Sequence, residues 1–276
     1  MRMMDAHCHL DDEQFDLDRD AVYAAMQQNG VIGGVRVSTR PDAVDDGVCA
    51  FLREHGVTTV ELGVQSFDDE VLRQSGRGCT GESAIAACAA VRRAGIRLGV
   101  QLMTGLPGDR PELALSSMEQ ALECGAELLR IYPTLVIEGT ELERLYAAGK
   151  YAPQSLTEAV SLCADMLEMA EAAGVPVQRL GLNPGPELER SLIAGPYHPA
   201  FGGLVREEVC FRKAAALLEA AGAAEKPCRL LCAGNDLARL VGQKRAGLER
   251  LTARFPGVTV AVDPTLAAGQ MRADAV

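Results

Sequence analysis

Polar side chains occupy positions in two predicted strands where a buried parallel sheet would normally carry apolar ones. The segments VELGVQ (60–65) and RLGVQLM (97–103) alternate apolar residues with polar or small ones. Glu61, Gln65 and Gln101 place a carboxylate and two amides on the polar side. Strands buried on both faces are usually near-continuous apolar runs, and buried polar groups cost free energy unless they are paired. The pattern therefore predicts that this face binds a polar ligand.

A second candidate for chemistry is the H-x-H pair formed by His7 and His9. Two residues apart on a strand, both imidazoles share one face and can reach one divalent cation. The sequence holds two further histidines; we expect His55 at a helix end and His198 in a linker. The pair is interpreted either as a metal site or as two structural histidines.

Composition limits the class of protein. The chain has 276 residues and a net charge of −11, with no apolar run near the roughly 18 residues that a membrane helix needs. Nine cysteines, an odd number, fit reduced thiols better than a disulfide framework. The acidic opening lacks a signal peptide's apolar middle. We expect a cytoplasmic protein without a membrane segment and without a whole-protein nucleic-acid surface.

Strand patterns alternate with helix patterns along most of the chain, which predicts an α/β fold with a parallel sheet. Six such units are too few for a closed eight-fold barrel, so we expect a partial (β/α)6 TIM-like barrel over residues 1–184. Residues 185–203 are rich in proline and glycine and are predicted to form a linker or ordered loop. Residues 204–276 are predicted to form a small C-terminal α/β appendage, with one helix spanning about 236–254.

The same alternation, followed around the sheet, gathers a set of polar residues on one side. The set comprises Arg36, Ser38, Glu61, Gln65, Gln101, Arg130, Tyr132, Arg179 and Asn183. In barrels of this type the C-terminal strand ends form the active face. For Ser38, Gln65, Gln101 and Tyr132 we favour ligand contact. The four charged residues of the set are interpreted either as a satisfied polar network or as part of the site.

Four motifs in the order STRPD (38–42), ELGVQSFDDEVL (61–72), QLMTGLPGD (101–109) and RIYPTLVIEGTELERLY (130–146) resemble radical S-adenosylmethionine (SAM) proteins. The resemblance is to the branch that contains the elongator catalytic subunit and oxygen-independent coproporphyrinogen oxidase, and it extends over about 32–276. It implies a partial barrel that holds SAM against a [4Fe–4S] cluster. By motif position it implies SAM contacts at Ser38, Gln65, Arg77 and Gln101.

The opening of the chain departs from that family. No CxxxCxxC spacing for cluster-binding cysteines occurs in the sequence. Residues 1–31 instead resemble the start of TatD-family metal-dependent hydrolases, including the H-x-H. That resemblance implies a divalent metal held by His7 and His9, with Glu61 as a further candidate ligand, and a phosphodiesterase or DNase activity.

A basic excess marks the C-terminal region, where VGQKR (241–245) faintly resembles the loop of RNA-binding KH modules. RNA contact through Lys244, Arg245 and Arg250 is one interpretation, and a structural cap on the open barrel is the other.

Three functions follow from the sequence. The first is SAM binding in the barrel mouth, with radical catalysis doubtful because the cysteines are missing. The second is a metal-dependent hydrolase, and the third is a non-catalytic RNA-binding or scaffold protein.

Overall fold

The computed structural model describes residues 34–276. His7 and His9, with the strand expected to carry them, therefore lie outside the described residues. Within 34–276 the strands are β1 (Val35–Thr39), β2 (Val57–Gln65), β3 (Arg97–Thr104), β4 (Leu128–Pro133), β5 (Val136–Ile137), β6 (Val177–Leu180), β7 (Leu192–Ala194), β8 (Cys228–Cys232), β9 (Val258–Val262) and β10 (Met271–Ala275).

The helices connect these strands in chain order. They are α1 (Asp46–Glu54), α2 (Asp69–Gln74), α3 (Gly81–Arg93), α4 (Pro111–Glu123), α5 (Glu141–Ala147), α6 (Leu156–Ala172), α7 (Pro186–Ser191), α8 (Phe201–Ala220), α9 (Leu237–Val241) and α10 (Ala246–Arg254). Two short 3₁₀ turns, Pro41–Ala43 and Gln243–Arg245, complete the described elements.

The main sheet has five strands in the order β1-β2-β3-β4-β6, and every neighbouring pair is parallel. Strands that follow each other in the chain, apart from the short β5, are also neighbours in space. This order is that of a barrel wall, and the described strands form an open sheet and not a closed barrel. The predicted α/β fold with a partial TIM-like barrel is confirmed.

One face of the sheet is packed against helices. Leu62, Val64, Leu98, Val100 and Leu102 are fully buried and share one core with apolar residues of α3, α4 and α6. Burying one such side chain contributes about 1.5–3 kcal/mol of hydrophobic free energy. This layer therefore fixes the sheet and leaves the residues between these positions on the other face.

Local signals set the helix starts. Thr80 caps α3 and forms a reciprocal pair with Ser83, and Ser155 forms a capping box with Glu158 at α6. Pro111 opens α4, where its missing N–H costs nothing. All three starts are set by residues within a few positions of one another in the sequence.

The C-terminal region has its own small sheet, in the order β10-β8-β9. β8 and β9 are parallel, and β10 is antiparallel to β8. Its core comprises Leu230, Leu240, Leu251 and Phe255, together with buried residues of β9 and of the second half of helix α8. The alternation of buried residues along β8 includes Cys228 and Cys232, both fully buried.

The prediction of a single helix over about 236–254 is wrong. The chain instead breaks between α9 and α10, where Gly242, Lys244 and Arg245 all have positive φ. A Cβ on Gly242 would lie 2.9 Å from the backbone nitrogen of Gly247, so this close turn requires a glycine there. The prediction failed because the helical spacing of apolar residues continues through this turn. The turn is visible only in the backbone dihedral angles.

Residues 185–203 contain ordered elements and join the two regions. Strand β7 pairs antiparallel with β5, so this segment is attached to the loop after β4. Helix α8 follows, and its first half packs into the main core through Phe201, Val205 and Val209. Its second half packs into the C-terminal core. Helix α8 therefore contacts both cores. The division of the chain into residues 1–184, 185–203 and 204–276 remains a prediction.

Within residues 34–276, no helix combines the length and the apolar character that a membrane-spanning segment needs.

Candidate ligand site on the polar face of the sheet

Strand register brings the predicted polar residues to the face opposite the helices. Ser38 lies beside Glu61, and Glu61 lies beside Gly99. Gln101 lies beside Arg130, and Arg130 lies beside Arg179. Because neighbours in register point to the same side of a sheet, these residues share a face.

The centre of this face is an ion-pair network around Glu61, whose side chain is only 2% exposed. Arg130 Nη1 lies 3.0 Å from Glu61 Oε1, and Arg36 Nη1 lies 3.8 Å from Glu61 Oε2. Ser38 Oγ also donates to Glu61 Oε1, over 3.3 Å. Two guanidinium groups thus supply the positive charge that a metal ion would otherwise supply. The structure gives no support to Glu61 as a metal ligand.

Some hydrogen-bonding capacity on this face is unused. Glu61 Oε2 and Arg130 Nε are buried and have no hydrogen-bond partner. The hydroxyl of Thr134, next to the end of β4, is also buried without a partner. Buried polar atoms in native proteins are normally satisfied by protein, water or ligand. The face therefore holds both acceptors and donors for a polar guest.

Gln65 and Gln101 meet at the C-terminal ends of β2 and β3. Gln101 Nε2 donates to Gln65 Oε1 over 3.1 Å, and Gln65 is 6% exposed. Gln65 has φ of 71°, in the left-handed region that non-glycine residues rarely adopt. Strained backbone of this kind is concentrated at functional sites. Gly63 leaves room for the Gln65 side chain, since a Cβ there would lie 2.9 Å from Gln65 Nε2.

The remaining candidates from the sequence lie around this pair. Arg77 is half-buried and donates from Nη2 to the Gly63 carbonyl over 2.7 Å. Tyr132 is buried beside Met103 in register, on the polar face. Ser38 is exposed and lies next to the end of β1. Asn183 is exposed and lies beyond the end of β6.

The loop after β3 is held by residues that sequence reasoning missed. Asp109 accepts from the backbone N–H groups of Gly105 and Arg110, and Tyr151 Oη donates to the Gly105 carbonyl over 2.6 Å. Burial raises the pKa of Asp109, and burial together with the Asp109 charge raises the pKa of Tyr151 to about 12. Gly105 has φ of 73°. Tyr151 lies 46 residues away in the chain, so no local pattern could have assigned it.

The comparisons with known proteins agree with this architecture. The family model "Radical SAM superfamily" matches residues 9–120, and the "Radical_SAM C-terminal domain" model matches residues 126–210. Both matches are in chain order and together include the whole polar face. The chain belongs to the radical SAM superfamily.

Individual relatives indicate one branch of it. A tRNA uridine(34) acetyltransferase of Dehalococcoides mccartyi is 36% identical over 137 residues, which are 48% of this chain and 30% of that protein. Elongator complex protein 3 of Saccharomyces cerevisiae is 31% identical over 157 residues, 56% of this chain and 28% of that protein. The chain thus spans less than a third of the length of these curated relatives.

A solved structure supports the fold. The Elp3 protein of Methanocaldococcus infernus superposes with a TM-score of 0.58 at 26% identity, over 65% of this chain and 42% of that one. The predicted resemblance to the elongator-like branch of radical SAM proteins is confirmed. The TatD-like interpretation of residues 1–31 has no support, because the radical SAM match already begins at residue 9.

Residues 34–276 do not fit the iron–sulfur cluster that the family implies. Such clusters are held by cysteine thiolates. In the described part of the chain, no three histidine, cysteine or acidic side chains gather to hold a metal. Seven of the eight cysteines there are buried. Burial raises the pKa of Cys163 to about 12 and that of Cys210 to about 11, which keeps these thiols protonated.

The polar face fits SAM better. SAM presents a carboxylate, an ammonium group, a sulfonium and a purine, so it needs both donors and acceptors. Glu61 Oε2, Arg130 Nε and the Thr134 hydroxyl offer unused partners of both kinds.

The C-terminal basic residues are not a uniform surface. Lys244 and Arg245 are exposed at the break between α9 and α10. Arg250 instead donates to Glu208 over 2.8 Å and stacks over the Phe211 ring at 3.8 Å, so its guanidinium is engaged with α8. Both family matches end at or before residue 210.

Proposed function

We propose that this chain binds SAM, or its product S-adenosylhomocysteine, at the C-terminal ends of β2, β3 and β4. The proposal rests on one observation above the others. Gln65 is held in a left-handed conformation at a strand end and is hydrogen-bonded to Gln101, in a member of the radical SAM superfamily. Strain at a strand end of this face is typical of a binding site.

The chain's own residues then have separate tasks. Gln65 and Gln101 present amide donors and acceptors to the ligand. Arg77 stabilises the end of β2 by donating a hydrogen bond to the Gly63 carbonyl. Tyr132 supplies an apolar surface with a polar tip. Bound SAM would supply an electrophilic sulfonium centre. Residues 34–276 do not bring together the thiolates that would hold the family's cluster, so these roles concern ligand binding and not a radical step.

Isothermal titration of the folded chain with S-adenosylhomocysteine tests the proposal. We expect saturable binding, and Gln101→Ala should weaken it by about tenfold, the effect of losing one or two hydrogen bonds. Gln243→Ala is the matched control, because Gln243 is an exposed glutamine in the C-terminal region. No heat of binding to the folded protein would reject the proposal, as would equal losses in the two variants.

A second candidate function is RNA binding, with tRNA as the substrate class. It is motivated by the relatives that are named tRNA uridine(34) acetyltransferases and by the exposed Lys244 and Arg245. The net charge of −11 opposes it. Fluorescence anisotropy with labelled tRNA at low and moderate salt tests it, since phosphate contacts weaken steeply with salt. Lys244→Gln combined with Arg245→Gln should reduce the affinity for tRNA, and unchanged binding would show that these residues do not contact it.

A cytoplasmic location of the protein remains a prediction.

A further inference from the structure

A cleft between the main sheet's helices and the C-terminal sheet shares no lining residue with the polar face and has no assigned role. It has a volume of about 110 Å³ and is lined by residues of α6, α8, β10 and the start of α9. An apolar cavity of about 150 Å³ is enough to hold benzene. The cleft therefore suits the body of a ligand of a few heavy atoms.

The inner part of the cleft is apolar. Leu167 and Val209 are 5% and 4% exposed, Cys210 is buried, and Met271 completes this surface. Burial raises the pKa of the Cys210 thiol to about 11, so the thiol is neutral near pH 7. A ligand that fills this part must present hydrocarbon.

Charged residues surround the apolar part, and positive charge is in excess. Lys213 pairs with Glu171 over 2.7 Å, and Arg239 pairs with Asp236 over 3.2 Å. Arg206 is the fifth charged residue that lines the cleft, and among residues 34–276 it has no carboxylate partner. Three cations thus line the cleft against two anions.

Hydrogen-bonding capacity is unbalanced in the same direction. Both oxygens of the buried Asp236 are used, one by Arg239 and the other by the Gly269 N–H. Arg206 uses one of its five N–H groups, toward the Gly202 carbonyl. Donors therefore exceed acceptors at the cleft. The missing partner is an acceptor, and an anionic one also balances the charge.

We infer that this cleft binds a small monoanion with a compact apolar body, such as a short branched carboxylate, with Arg206 as the residue that holds the anionic group. Charge-assisted hydrogen bonds to a guanidinium are the strong and directional ones. The ligand would fill the junction between the two cores. This inference is independent of SAM binding on the polar face.

Saturation-transfer difference NMR with isovalerate on the full chain tests it. We expect saturable binding with a Kd of about 1 mM, in keeping with the limited affinity of so few heavy atoms. Isovaleramide has the same shape without the charge and should bind at least about tenfold more weakly. Equal binding of the two, or no saturable signal from isovalerate, would overturn the inference.

Variants locate the site. Arg206→Gln should weaken isovalerate binding by at least about tenfold, whereas Arg206→Lys should retain part of it and Arg229→Gln, an exposed arginine on β8, should retain all of it. Each variant is first checked for unchanged thermal unfolding. S-adenosylhomocysteine binding should be unaffected by Arg206→Gln. Two results would contradict the assignment of isovalerate to this cleft. One is competition between S-adenosylhomocysteine and isovalerate, and the other is undiminished isovalerate binding by the Arg206→Gln variant.

Discussion

The two faces of the five-stranded sheet consist of alternate residues of the same strands and are stabilised by different forces. On the helix side, Leu62, Val100 and Leu102 are fully buried among apolar neighbours. On the other side, Glu61 lies between Arg36 and Arg130, and several buried polar atoms have no partner. Hydrocarbon packing is non-directional, whereas a buried charge depends on particular partners. The helix side therefore depends on the total apolar area that it buries. The polar side depends on each charged partner being present, and its unpaired polar atoms are the ones available to a ligand.

The largest effect is expected from removing the central charge of the polar face. Glu61→Ala leaves Arg130, whose side chain is 15% exposed, without its anion. We expect a loss of about 3–5 kcal/mol in the free energy of unfolding, as for other broken buried ion pairs. Urea unfolding measures it. A loss below about 1 kcal/mol would mean that the two faces do not differ in this way.

A cavity on the helix side should cost somewhat less and should spare the ligand. Leu102 follows Gln101 in the chain, but its side chain faces the helices, and Leu102→Ala would leave a cavity there. We expect a loss of about 3 kcal/mol in stability, with S-adenosylhomocysteine affinity retained in the folded fraction. The exposed Leu182 provides the control substitution to alanine. A variant that folds and yet loses the ligand would contradict the separation of roles.

A charged contact away from the sheet gives a milder test with a pH signature. Glu208 is partly buried, and although burial opposes it, donation from Arg250 and Arg212 lowers the pKa of Glu208 below its ordinary 4.5. A lowered folded-state pKa means that the contribution is complete above pH 4.5 and is lost as pH falls through the lower folded value.

Glu208→Gln should therefore cost about 1–2 kcal/mol at neutral pH, and the difference from the parent chain should shrink in acid. Thermal unfolding between neutral and acid pH measures it. Glu187→Gln, an exposed glutamate of α7, serves as the control. A difference that grows as pH falls would show that the sign is wrong.

The smallest effect is expected at the loop beside the site. Tyr151→Phe removes the hydrogen bond to the Gly105 carbonyl and should cost about 1 kcal/mol in stability. It should also weaken S-adenosylhomocysteine binding by a few-fold, because the loop after β3 loses an anchor. Tyr146→Phe on α5, where the side chain is 38% exposed, is the control. Equal effects of the two substitutions would separate this loop from the site.

The strand alternation in 60–65 and 97–103 was enough to predict which side chains share the polar face, because period two is a local property of a strand. The helix starts at Thr80, Pro111 and Ser155 were predictable for the same local reason. Contacts across long sequence separations were not. The Tyr151 anchor and the attachment of Arg250 to Glu208 depend on how elements pack.

Two other features escaped the sequence. Strand β10, with the sequence MRADA, lacks a strong apolar alternation and is defined by its pairing with β8. The break before α10 depends on three positive-φ positions, Gly242, Lys244 and Arg245. Of these residue types, only glycine adopts positive φ readily enough to signal a turn in the sequence.

Helix α8 contributes Phe201, Val205 and Val209 to the main core and Cys210, Ala214 and Leu218 to the C-terminal one. During synthesis, the strands of the main sheet leave the ribosome before this helix does, so their core remains incomplete until residue 209 has emerged. Chains synthesised from the N-terminus expose such unfinished apolar surfaces to aggregation. A nascent chain arrested just before Phe201 should thus recruit chaperones, and one arrested after β10 has emerged, when both cores can be completed, should be largely free of them.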